Sequence, residues 1–77
     1  MPTVLRKGEL RFFFFSREPN EPPHIHVEAG DKYAKYWLGP VSAAQNFGFK
    51  EYELNRISKI VDENKVLFRR KWNEYFS

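Results

Sequence analysis

The sequence predicts an α+β fold: a small antiparallel sheet of four or five strands over residues 3–47, packed by one long C-terminal helix over residues 50–76, continuous or kinked. Three observations lead there. Short runs rich in Phe, Val, Ile, Tyr and Trp recur through the first part of the chain, parted by turns that carry Gly or Pro. From Lys50 onward the apolar period lengthens from two residues to that of a helix. The chain has 77 residues and no cysteine, so it is expected to fold as a single domain (1–77) on its core alone, with no disulfide and no thiolate to hold zinc.

Taken in order, Thr3 to Arg6 reads as a short strand and Lys7–Gly8 as a turn. Leu10 to Ser16 reads as a strong strand with four consecutive Phe. Alternation sends Phe12 and Phe14 to one face and Arg11, Phe13 and Phe15 to the other. Apolar residues on both faces suggest a central strand. Arg17 to Pro23 (REPNEPP) is a polar, proline-bearing loop that cannot enter a sheet interior. His24 to Ala29 is a third strand, Gly30–Asp31 a hairpin turn, and Lys32 to Leu38 a fourth strand. Gly39–Pro40 breaks it. Val41 to Phe47 (VSAAQNF) reads as a short strand pairing back on the fourth, with a single helical turn as the alternative.

In the last segment, at ~100° per residue, Leu54, Ile57, Val61, Phe68, Trp72 and Tyr75 fall within an arc of roughly 60°, with Ile60 and Leu67 on its flank. A stripe that keeps its phase this long favours one continuous helix, with Asp62–Asn64 the place for a kink. At ~1.5 Å per residue such a helix spans roughly 40 Å. A compact chain of this length has a diameter near ~30 Å. The helix is therefore expected to overhang its sheet, leaving Trp72, Tyr75 and Phe76 wet unless they pack on a second chain. Arg69, Arg70 and Lys71 lie toward the helix C-terminus, where cations meet the macrodipole favourably.

Composition narrows the function classes. Eight Phe and two Trp supply an ample core, each Phe contributing roughly 1.5–3 kcal/mol when buried. No segment approaches the ~20 apolar residues of a membrane helix. MPTVLRKGEL lacks the features of a signal peptide, so a cytoplasmic protein is the expectation. The net charge is +3, from 13 Lys+Arg against 10 Asp+Glu. The two signs are interleaved, unlike the concentrated basic stripe of a duplex-DNA binder.

The most distinctive segment is EPPHIHVE, Glu21 to Glu28. On a strand His24, His26 and Glu28 share one face, and the two imidazoles stand roughly 7 Å apart. A metal would need a third protein ligand, from Glu28 or Glu21 since no further His exists, and no metal or other cofactor is expected. Acid–base chemistry is the stronger reading, with His24 and His26 as catalytic candidates. Arg6, Arg11, Lys35 and Trp37 would bind a phosphate-bearing substrate, as in a metal-independent ribonuclease. The plain alternative is that both histidines only cover the open face of the sheet. Ala34, Tyr36 and Leu38 are assigned to the core with Ile25 and Val27, which puts Tyr33, Lys35 and Trp37 beside the histidines. That surface suits single-stranded RNA or a protein partner.

The pieces MPTVLR, RFFFFS, EPPHIHV, AKYWL, NFGF and WNEYF together resemble the domain of unknown function 4160 family, over essentially the whole chain. EPPHIHV is the most specific of them. Proteins of this family are small bacterial or phage products, often encoded beside a domain of unknown function 2442 protein in an arrangement similar to a type II toxin–antitoxin pair. The resemblance implies a toxin-like role and neutralisation by an antitoxin-like protein; action on RNA rests on the reading of the histidines and the basic, aromatic face above. The alternative is a non-enzymatic binding or regulatory module. Tyr33, Trp72, Tyr75 and Phe76 are the residues expected to meet that partner or a second copy of the chain. Similar sequences often carry Ser at the position of Lys50, ahead of Glu53. Lys50 offers no acceptor oxygen, so a weaker helix start is expected here.

Overall fold

A computed structural model describes residues 3–15 and 20–76. Five strands, β1 (Thr3–Lys7), β2 (Leu10–Phe13), β3 (His24–Ala29), β4 (Lys32–Leu38) and β5 (Val41–Phe47), precede two helices, α1 (Glu51–Glu63) and α2 (Lys65–Phe76). The strands form one antiparallel meander in the order β1-β2-β3-β4-β5. The α+β architecture and the strand reading of VSAAQNF agree with the sequence. The expected second strand ran to Ser16 and the loop began at Arg17. Residues 16–19 lie outside the described residues, as do Met1, Pro2 and Ser77, and the strand itself ends at Phe13.

Alternation places the core as read. Phe12, Ile25, Val27, Ala34, Tyr36 and Leu38 are buried on one face with Ile57, Val61 and Phe68 of the helices. Phe12 and Phe68 stack at 5.6 Å between ring centroids. The buried Tyr36 hydroxyl donates to the Leu54 carbonyl at 3.1 Å and accepts from Ser58 Oγ at 2.9 Å, so its polar end is satisfied inside the core. Gly30, at φ +62°, takes the left-handed position that the β3–β4 hairpin turn requires. In β5 one extra residue, Ala44, bulges out between the pairs Lys35↔Gln45 and Tyr36↔Ala43.

The single long helix is corrected to two. Asn64 leaves helical geometry at φ −113°, ψ 13°. Its Nδ2 donates to the Ile60 carbonyl at 2.8 Å, the competition with backbone bonding for which Asn is known. Yet its own N–H still bonds Ile60 and its carbonyl accepts from Phe68 N–H at 2.9 Å. The apolar phase thus passes through the break undisturbed, which is why periodicity did not reveal it.

The break also removes the overhang. The longest dimension is 34 Å, less than a straight helix of this length would need. α1 lies against β4 and β5 and α2 against β3 and β4. Trp72, expected to be wet, is 7% exposed, held by Phe14 at 5.5 Å and Phe76 at 4.1 Å. Arg69 to Lys71 fall outside the last turn of α2, which holds no basic residue, so the macrodipole reading does not apply to them. The start of α1 is as expected. Lys50 caps it without a side-chain bond, and only the Glu53 half of a capping box forms, Lys50 N–H donating to Oε1 at 2.9 Å. No helix among the described residues is long and apolar enough to cross a membrane.

Candidate functional site

The face of the sheet turned away from the helices gathers most of the residues singled out above. Antiparallel partners point the same way, so the register sets out the face directly. Arg6 pairs with Arg11, Arg11 with Glu28, Phe13 with His26, His26 with Lys35, His24 with Trp37, and Tyr33 with both Glu28 and Phe47. Arg6, Arg11, His24, His26, Tyr33, Lys35 and Trp37 thus share one surface.

An aromatic row crosses it. Phe13 stacks on His26 at 5.5 Å, His26 on Tyr33 at 5.7 Å and Tyr33 on Phe47 at 6.0 Å. Phe15 closes on His26 at 4.3 Å from the side. Cations cap two rings of the face: Arg11 lies 4.4 Å from the Phe13 centroid and Lys35 4.7 Å from that of Trp37.

The histidines are inside this layer rather than on it. His24 is 0% and His26 2% exposed, which corrects the picture of two rings on an open face. His24 Nδ1–H donates to the Pro22 carbonyl at 2.9 Å, which fixes the proton on that nitrogen. Its ring packs on Trp72 at 4.7 Å and on His26 at 5.0 Å. His26 Nδ1 and the Tyr33 hydroxyl are hydrogen-bonded at 2.6 Å.

Two of the cations already hold carboxylates. Arg11 donates to Glu28 at 2.7 Å and also to Thr3 Oγ1 at 2.7 Å. Lys35 Nζ donates to Glu21 Oε1 at 2.5 Å, and His24 Nδ1 stands 3.7 Å from the same oxygen. The Lys35 hydrogen bond, with the charge of Lys35 behind it, holds the Glu21 carboxyl below its ordinary value. Arg6 is exposed at the β1 edge, two strands from the histidines. Among the described residues no three His, Asp or Glu side chains are grouped to hold a metal ion.

The expected partner residues divide. Tyr33 belongs to the aromatic row. Trp72 is core, while Tyr75 and Phe76 pack around Phe14 at 6.1 and 6.0 Å. Tyr75 lines a separate groove of about 410 Å³ with Thr3, Val4, Phe14, Lys71 and Glu74. Sequence reasoning passed over Phe47, 62% exposed, and Phe15, 36% exposed, as members of the site. Alternation had put Phe15 on this face, but only the bulge at Ala44 brings Phe47 onto it.

The profile of a family described as a domain of unknown function (DUF4160) matches residues 10–73. The chain belongs to the DUF4160 family. The match takes in every strand from β2 to β5, α1 and most of α2, and so every residue of the aromatic row. No curated protein and no solved structure matches this DUF4160 chain.

Proposed function

We propose that this DUF4160 protein is a binding protein, the toxin-like member of a two-protein pair, and that the helix-free sheet face is where it meets its protein partner. One observation carries the reading: the chemical groups of the face are spent internally, while its rim stays exposed and aromatic. Both histidines are buried, and Arg11 and Lys35 hold Glu28 and Glu21. Little charge is left for phosphates. Phe47 and Phe15 are exposed and Tyr33 and Trp37 half-buried, the aromatic composition that marks protein interfaces. The antitoxin-like neighbour that the family resemblance implies, a domain of unknown function 2442 protein, is the partner of that chemistry.

The test is induced expression in bacteria, alone and with the neighbouring gene product. Growth arrest that is relieved by the neighbour, persists in folded His24→Gln and His26→Gln variants, and is no longer relieved by the neighbour in Phe47→Glu supports the reading. Phe47→Glu should also abolish co-purification of the two proteins.

A second reading keeps the ribonuclease-like acid–base chemistry. The observation favouring it is the 2.6 Å bond between His26 and Tyr33, a ready proton relay beside His24. Arrest lost in folded His26→Gln, with partner capture intact, would replace the first reading by this one.

A further inference from the structure

At one end of the sheet, apart from the aromatic row, lies a groove of about 220 Å³. Pro22, Pro23, Pro40, Trp37 and Gly39 form its walls, with Ser42 and Arg69 completing it. The Pro23 carbonyl accepts from Leu38 N–H at 3.1 Å, tying the proline segment to the end of β4.

Arg69 enters this groove because residue 39 has no side chain. A Cβ on Gly39 would meet Nη2 of Arg69 at 2.2 Å and Cζ at 3.2 Å. Two other cations of α2 hold carboxylates, Lys65 with Asp62 at 3.4 Å and Lys71 with Glu74 at 3.6 Å, whereas Arg70, which does not line the groove, is exposed. Among the described residues Arg69 makes no hydrogen bond or ion pair and no carboxylate lines the groove. The result is a guanidinium with no counterion among those residues, set among proline rings and an indole.

Size and charge narrow the occupant. The groove is small, at about 220 Å³. That is below the ~300 Å³ at which sites for drug-sized ligands begin. It suits one side chain and a carboxylate. A nucleic acid draws its affinity from many neutralised phosphates, and one arginine serves one. Arginine pairs a carboxylate in a planar two-bond fork, and aromatic-lined grooves take extended, proline-compatible peptides.

We propose that this groove binds an acidic peptide segment of a partner protein, with an apolar side chain against Trp37 and the prolines and a neighbouring carboxylate on Arg69. The site stands whether or not the sheet face binds a partner of its own.

The test selects a displayed library of random heptapeptides on the full-length chain. Peptides carrying Asp or Glu beside an apolar residue are expected to enrich. Their retention should fall about tenfold or more on Arg69→Gln, the loss of one charge-assisted bond, with an unchanged melting temperature. Phe47→Glu, on the sheet face, should retain them fully. No enrichment, enrichment without acidic residues, or equal retention on Arg69→Gln overturns the proposal. Peptides lost with Phe47→Glu but kept with Arg69→Gln would assign the binding to the sheet face and leave the groove empty of function. A random single-stranded RNA pool that enriches in an Arg69-dependent way, where peptides do not, overturns it in favour of nucleic acid.

Discussion

Replacing Trp72 by Ala separates a core residue from a partner-binding one. The indole is 7% exposed and touches three rings: Phe76 at 4.1 Å, His24 at 4.7 Å and Phe14 at 5.5 Å. Each such aromatic pair adds about 0.5–1.5 kcal/mol beyond burial, and truncating a buried Trp to Ala costs about 3–5 kcal/mol in all. A chain of this length has a total stability of about 4–12 kcal/mol, at roughly 0.05–0.15 kcal/mol per residue. The substitution therefore removes a quarter or more of it. At about 4–8 °C per kcal/mol for small domains, the melting temperature should fall by about 12–40 °C. Urea denaturation of the isolated chain, followed by circular dichroism, checks this against Tyr75→Ala. Tyr75 is 42% exposed and should cost less, about 1–3 kcal/mol, for its ring contacts with Phe14 and Phe76. If Trp72→Ala left the urea midpoint of the isolated chain unchanged, α2 would not pack on the sheet as described. The overhanging helix read from the sequence would then be restored.

Further substitutions probe other parts of the structure. Lys50→Ser supplies the missing cap of α1 and should stabilise by about 1 kcal/mol, raising the melting temperature by about 4–8 °C; no rise would place the helix start elsewhere. Acid titration of stability should show a plateau that ends near pH 4.5. The Lys32 side chain and the Lys50 N–H hold Glu53 below its ordinary 4.5, and Lys35 does the same for Glu21. Their contributions are complete above the unfolded value and are lost as pH falls through the lowered folded values. Glu53→Gln should flatten that limb, and an unaltered limb would show that Glu53 does not drive it. Glu21→Gln releases Lys35 without removing a ring from the face. Partner capture should be unchanged, whereas a marked gain in affinity for single-stranded RNA at low salt would identify a phosphate site.

The sheet and its two faces were legible because strand alternation is local. Phe12 and Phe14, or Ala34, Tyr36 and Leu38, declare their side within a few residues. The same rule placed His24, His26, Tyr33, Lys35 and Trp37 together. What escaped depends on contacts distant in sequence. The burial of His24 requires Trp72 from α2, and the pairing of Lys35 with Glu21 requires a loop to return over the face. Neither contact can be read from the EPPHIHV motif itself, although Glu21 is its first residue. The break at Asn64 was hidden for a different reason: its carbonyl starts the next helix in register, so the apolar stripe runs on. Phe47 reaches Tyr33 only because Ala44 bulges, and a single inserted residue is invisible to a period-2 count.

These distant contacts also bear on the two readings proposed for the histidines. A general acid or base must come within about 2.6–3.2 Å of the proton it moves. His24, at 0% exposure and bonded to the Pro22 carbonyl, presents no such approach while Trp72 and Trp37 hold its ring. A phosphate arriving at Lys35 would have to displace Glu21 and would then lie beside the carboxylate it displaced, so much of the Coulombic gain cancels. On the proposed reading a protein partner meets neither obstacle, since it needs only the exposed Phe15 and Phe47 and the half-buried Trp37. On this account His26 serves as a ring in the row, polar enough to bond Tyr33 and flat enough to stack on Phe13. The stacking thereby holds Tyr33 and Phe47 in place on the face.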